Sequence, residues 1–201
     1  MKTYYNFYSA DNPYIEDVFR DSCLYMTNYS GMQATNDTSE GIYWLDSSIS
    51  EKLREKVMRE KKKLMICCVT NRIRNAHMWQ EFANGGNGIC IAVRPITTDI
   101  LSLFKPIYNN DRPYITPRHF EDLPPGTIAE KILRYKLSTF SDENETRILK
   151  RVPDGKTHDF LSVNIDRLYL GWNLSVNKEQ EFREYASRVR VKVIKLHKPI
   201  L

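Results

Sequence analysis

Two stretches of the chain are apolar almost without a break: LMICCVT at residues 64–70 and GICIAVR at residues 88–94. Each has the length of a strand, and a continuous apolar run fits a strand covered on both faces. YYNFYS (4–9) and CLYMTNY (23–29) are aromatic and β-prone and predict two further strands. VNIDRLYLGW (163–172) predicts a late strand. RVRVKVIK alternates cleanly from Arg188 to Val193, which predicts a last strand with Arg188, Arg190 and Lys192 on one basic face. Helical spacing takes over in between. DNPYIEDVFRD (11–21) carries turn and cap signals into a short helix, and NAHMWQEFAN (75–84) predicts another that gathers Met78, Trp79 and Phe82 before the glycines of NGGNG end it. EKLREKVMREKKKL (51–64) has Ser48 three residues ahead of Glu51, the spacing of a capping box. PPGTIAEKILRYKLSTF (124–140) opens a helix, and NKEQEFREYASR (177–188) predicts the last one. Residues 31–41 and 152–159 read as loop and turn, and 105–127, with five prolines, as a long irregular excursion. Strands and helices interleave without a regular βαβ rhythm. The expectation is one α+β domain over residues 1–201, with a mixed sheet flanked by helices.

Composition narrows the class. Of 201 residues 41% are hydrophobic and 27% charged, which excludes a disordered chain. A net charge of +5 permits a polyanionic partner such as RNA without demanding one. The helix at 51–64 concentrates that charge. Leu53, Val57 and Leu64 form its apolar stripe, while Lys52, Arg54, Lys56, Arg59, Lys61, Lys62 and Lys63 stand against Glu51, Glu55 and Glu60. A solvated face accounts for this pattern, and the alternative is a phosphate-facing patch in which Lys61, Lys62 and Lys63 bind nucleic acid. No apolar run approaches the ~20 residues that span a bilayer. The first residues lack the apolar core of a signal peptide. Cys67, Cys68 and Cys90 fall in apolar runs and, with Cys23, form no C-x-x-C pair, so a reduced, cytoplasmic protein is expected. The four histidines are scattered, and no metal site is expected.

One segment asks for chemistry. In FSDENETRIL (140–149), Glu143, Glu145 and Arg147 alternate with Asn144, Thr146 and Ile148, so an extended backbone places both carboxylates and the guanidinium on one face. Carboxylates two apart on a strand face repel each other, so this is not an evident stability device. An exposed edge with a Glu–Arg pair explains it blandly. A pocket that holds developing positive charge explains it functionally. Cleavage of an N-glycosidic bond passes through an oxocarbenium-like sugar, which a fixed carboxylate stabilises.

Several segments together resemble a widespread bacterial family classed as a domain of unknown function. Its Met-Trp-x-x-(Tyr/Phe)-Ala and Gly-(Val/Ile)-Cys hallmarks are matched by Met78, Trp79, Phe82, Ala83, Gly88, Ile89 and Cys90. Its Asn-Asp-x-x-Glu-Gly loop is matched by Asn36, Asp37 and Glu40, with Thr38 where proline is usual. Its Lys…Glu-x-Glu-x-Arg segment is matched by Lys136, Glu143, Glu145 and Arg147, with Phe140 in place of a tryptophan. The Glu-x-Glu also resembles the catalytic motif of ADP-ribosyltransferases. That resemblance implies a split sheet around an NAD cleft, with Glu145 as catalytic carboxylate and Glu143 orienting or deprotonating the acceptor. Arg147 would hold the carboxylates or meet the diphosphate. By order along the chain, Tyr5 and Thr27 are the candidates for the early-strand and second-strand residues, although the Ser-Thr-Ser form is absent. Tyr25 or Trp79 would stack on NAD, and Asn36 and Asp37 would add contacts. The expected function is a small NAD-dependent ADP-ribosyltransferase of the toxin or phage-defence kind, acting on RNA or protein and held in check by an inhibitor protein. Arg188, Arg190 and Lys192 would supply phosphate contacts. The alternatives are a non-enzymatic RNA- or protein-binding module, and an NAD glycohydrolase or nuclease using the same carboxylates.

Overall fold

The apolar strands owe their pattern to apolar clusters packed on both of their faces. The computed structural model describes residues 2–33, 40–96, 98 and 100–197. In its first half β1 (Tyr4–Ser9), α1 (Ile15–Asp21), β2 (Cys23–Thr27), α2 (Tyr29–Gln33), β3 (Trp44–Leu45), α3 (Glu51–Lys62), β4 (Leu64–Thr70) and α4 (Ala76–Glu81) lead to β5 (Gly88–Pro95). Short elements follow: β6 (Ser102–Phe104), β7 (Ile107–Tyr108), β8 (Tyr114–Ile115), α5 (Pro117–Asp122), α6 (Pro125–Ile132) and β9 (Tyr135–Lys136). The chain closes with β10 (Glu145–Arg151), β11 (His158–Leu170), α7 (Val176–Arg188) and β12 (Lys192–Lys195). The region expected to be irregular, 105–127, thus carries two short strands, a helix and the first turn of another.

Among the described residues the main sheet has eight strands, in the order β1-β5-β11-β2-β4-β10-β6, with β12 beside β11. Its pairings are antiparallel except β11 with β12. β10 occupies one edge of β4 along its whole length. The other edge is shared: β2 meets it where Thr27 faces Ile66, and β1 where Tyr5 faces Thr70. Those points lie four residues apart, about 13 Å along the strand. Because β5 and β11 link β1 back to β2, the pairings close a ring, and the sheet splits between β1 and β2.

Alternation then sorts the side chains. Met65, Cys67 and Val69 of β4 and Ile89, Ile91 and Val93 of β5 point into one core that α1 and α7 cover through Phe19 and Phe182. The intervening Leu64 and Ile66 pack with Ala129 and Leu133 of the α6 region. Cys90 and Ala92 pack instead with Phe7 and Trp79. Both faces of the central strands are apolar because both are covered.

Of the boundaries that differ from the sequence reading, two bear on its charged segments, while the late strand starts earlier, at His158. The N-cap of α3 is Ser50, while Ser48 turns back to Asp46 through its amide (2.9 Å) and hydroxyl (2.6 Å). The alternation from Arg188 to Val193 is not a strand face. Phe182 and Ala186, four apart, keep α7 helical through Arg188, and Arg190 at φ 59° turns the chain before β12 begins at Lys192. Arg188 is paired with Glu16 at 2.7 Å, so Arg188, Arg190 and Lys192 do not form one basic face.

Candidate active site

Among the described residues, the split of the sheet carries the densest set of buried charges. Glu145 opens β10 opposite Thr70, which itself faces Tyr5 across the ring, so three strands meet at its side chain. Glu143 is not on the strand. It ends a 3-10 helix, Ser138–Glu143, and Asn144 at φ 50° breaks the alternation. Asparagine is among the few non-glycine residues that tolerate this left-handed conformation. The kink is tied down from β4 and α4. Thr70 Oγ1 donates to Asn144 O at 3.1 Å, and Asn75 Nδ2 donates to Asp142 O at 2.8 Å and Glu143 O at 3.1 Å. Asn75 also caps α4, its Oδ1 accepting the Met78 amide, so one side chain couples that helix to the carboxylate turn.

The two carboxylates still meet, through a third residue. Lys136 Nζ donates to Glu143 Oε2 at 2.5 Å and to Glu145 Oε2 at 2.6 Å. Arg147, fully buried, donates Nε to Glu145 Oε1 at 2.7 Å. It forks onto Glu40 through Nη1 at 2.7 Å and Nη2 at 2.6 Å, and Nη1 also reaches Leu133 O at 2.7 Å. It therefore holds Glu145 in place and is shut off from any diphosphate. Glu40 was legible only through the family resemblance, which assigned it no role, and Lys136 likewise. Each closes a charge network that periodicity in the sequence does not reveal.

The hydrogen-bonded cluster contains three carboxylates, Glu40, Glu143 and Glu145, against two cations, Lys136 and Arg147. Lys61, also buried, interacts electrostatically with Glu40, so three cations face three carboxylates, mostly out of water. Burial pushes the Glu145 carboxyl up, but Arg147 and Lys136 overcome that, and with the Cys68 thiol as a further donor they hold it down at about 2. Burial raises Glu40 and Glu143, and their cations only partly offset it. One carboxylate is thus firmly ionised and its neighbour holds a proton more readily.

Glu143 and Glu145 line one small cavity with Tyr5, Asn6, Phe7, Cys68, Val69, Thr70, Met78 and Phe82. The Glu143 side chain keeps 11% of its exposure against 2% for Glu145, which places Glu143 at the rim and Glu145 on the floor. The volume is about 70 Å³, below the ~300–1,000 Å³ usual for a small-molecule site. Met78 and Phe82, both half-buried, line it from the α4 side. Among the described residues no three His, Cys, Asp or Glu side chains come together to hold a metal ion, and no helix is long and apolar enough to cross a membrane.

The other candidate residues are dispersed. Of the four assigned to NAD contact that the structure describes, Tyr5 alone lines the cavity. Thr27 sits opposite Ile66, at the far side of the split, with its hydroxyl on Thr157 O. Tyr25 is exposed and stacks on His158. Trp79 is core: its ring meets Phe7 edge-on and its indole N–H donates to Ile73 O at 2.9 Å. Asn36 and Asp37 lie outside the described residues. Lys62 is exposed and Lys63 is paired with Glu60 at 2.9 Å, but Lys61 is buried. Its Nζ donates to Gly41 O at 2.7 Å and lies 3.8 Å and 4.7 Å from the Tyr29 and Tyr43 ring centroids, so it is no phosphate ligand.

Burial draws the Lys61 ammonium down to about 8 from 10.5, with Glu40 offsetting part of this. Between those two values the unfolded chain binds the proton more tightly than the native protein, so stability from this group rises with pH across that window. Urea titrations of the wild type and Lys61→Met are expected to show the wild type gaining stability relative to the variant between neutral pH and about pH 10. A constant difference would remove Lys61 as the titrating group.

Comparison of the chain with family models, with curated proteins and with solved structures finds no match to any of the three.

Proposed function

We propose that the protein is an NAD-dependent ADP-ribosyltransferase whose reaction centre is the cavity at the split of the sheet. The observation that carries this reading is the buried charge cluster in which Lys136 and Arg147 fix Glu145, and Lys136 holds Glu143, so that both carboxylates line a single cavity. A site for a transient cation benefits from this arrangement, because a fixed carboxylate in a low-dielectric pocket stabilises developing positive charge without reorganising.

The chemistry assigns roles to this chain's own residues. Glu145, locked between Arg147 and Lys136, steadies the oxocarbenium-like ribose as the bond to nicotinamide breaks and the bonding electrons leave with the neutral base. Tyr5, Phe7 and Phe82 supply aromatic surface for a nicotinamide ring, and Thr70 and Asn6 supply polar contacts. Met78 and Phe82 swing out to admit it. The acceptor's nucleophilic atom then bonds to the ribose carbon, and its proton passes to Glu143, the rim carboxylate with the raised proton affinity.

The test is to incubate the protein with NAD and either cell extract or total RNA, and to follow the mass increment of one ADP-ribose on an acceptor. Transfer to a protein or an RNA is the expected result. Nicotinamide release with no modified acceptor would reassign the site to NAD hydrolysis. Neither product, with the native target supplied, would remove NAD chemistry from this cavity.

A further inference from the structure

The β7–β9 ribbon that closes the carboxylate site has a second face. Tyr108 and Lys136 are register partners, and both turn toward the site: the Tyr108 hydroxyl accepts the Glu145 amide at 3.0 Å, and Lys136 grips the carboxylates. Ile107 and Tyr135, the preceding pair, line a separate groove of about 380 Å³ that runs on to Tyr114 and α6. That volume is within the range of ligand sites.

Unusually large aromatic surface is open here. Trp44 and Tyr114 are register partners on the β3–β8 ribbon, so both project from one face of it, while Leu45 and Ile115 point inward. They are 62% and 54% exposed, and Ile107 is 48% exposed. The Tyr114 hydroxyl donates to Asp46 Oδ2 at 3.0 Å, which pins the ring with its face open. An exposed tryptophan beside an exposed tyrosine signals a binding surface more than a lone exposed apolar residue does.

The rim of the groove is cationic. Lys131 is exposed. Arg134 lies 4.4 Å from the Phe104 ring centroid and is set by Glu130 at 3.0 Å, and Glu130 is the single carboxylate that lines the groove. His119 accepts the Thr116 amide on Nδ1 at 3.1 Å, which leaves Nε2 to donate to a ligand. Flat rings in series beside Lys, Arg and His match successive bases and their phosphates, and the chain's net charge of +5 adds long-range attraction.

We infer that this groove binds a single strand of nucleic acid, with bases stacked on Trp44 and Tyr114 and phosphates held by Lys131, Arg134 and His119. The inference stands on this face alone, whether or not the carboxylate site transfers ADP-ribose. Fluorescence polarisation with a labelled oligouridine of about 12 nucleotides tests it. Saturable binding that weakens steeply with salt is expected. Trp44→Ala, Tyr114→Ala and Lys131→Glu, all at exposed positions and each checked for an unchanged melting temperature, should each weaken binding at least about fivefold. Lys62→Glu, on α3, should leave it unaltered. No binding, binding indifferent to the three groove substitutions, or equal affinity for uridine monophosphate would each overturn the assignment.

Discussion

Arg147→Met is expected to destabilise the protein by roughly 3–5 kcal/mol, the cost of leaving buried charge without its partner. Most domains have only about 5–15 kcal/mol in total. The guanidinium is inaccessible to water and makes four hydrogen bonds, to Glu145, to both oxygens of Glu40 and to the Leu133 carbonyl. Methionine fills the space but leaves three buried carboxylates with Lys136 as the one cation still hydrogen-bonded among them. Arg147→Lys should fare poorly as well, since an ammonium cannot fork onto Glu40 and still reach Glu145. Urea denaturation measures both. The control is Arg151→Met, which breaks an ion pair with Glu60 whose side chains are 38% and 26% exposed, and which should cost less than about 1 kcal/mol. A loss at Arg147 no larger than at Arg151 would mean that the cluster is not electrostatically demanding.

The local pattern carried most of the fold. β4 is legible to the residue and β5 within one, because an apolar run covered on both faces has few other readings. α3 and α7 follow from their spacing. What the pattern could not carry is the closure of the ring, since the competition of β1 and β2 for one edge of β4 is a long-range choice. Three misreadings have local causes. Asn144 inserts a left-handed residue between Glu143 and Glu145, and a period of two cannot reveal it. Alternation at 188–193 mimicked a strand although Phe182 and Ala186 still set a helical period. Lys61 belongs by its charge with the polar face, yet it stands four residues after Val57 and three before Leu64, on the apolar stripe, where a lysine must be buried or snorkel. Glu40 lies 107 residues from Arg147, and no spacing rule joins them.

The candidate site was half legible. Glu145 and Arg147 are where an alternating strand puts them, and Tyr5 reaches the same cavity because β1 and β10 flank β4 at Thr70. The stacking residues were not legible. An aromatic on a strand reads alike whether it faces the core, as Trp79's neighbour Phe7 does, or solvent, as Tyr25 does.

The second large effect concerns Glu145→Gln. The amide keeps the size of the carboxylate and one acceptor for Arg147, while it removes the charge that the cavity presents to a sugar cation. Folding should survive with a loss of about 1–3 kcal/mol from the mismatch with Lys136. The chemical step should slow by at least about 100-fold, the scale of losing one electrostatic contact at a transition state. Glu143→Gln should depress transfer to an acceptor more than it depresses cleavage of NAD, because the rim carboxylate acts on the acceptor's proton.

The most direct measurement is therefore the rate of nicotinamide release from NAD, with acceptor present, by wild type and by folded Glu145→Gln side by side. Release by the wild type and a rate at least about 100-fold lower in the variant is the predicted result. Equal rates, or no release by the wild type with its acceptor supplied, would contradict the assignment of this buried carboxylate to catalysis.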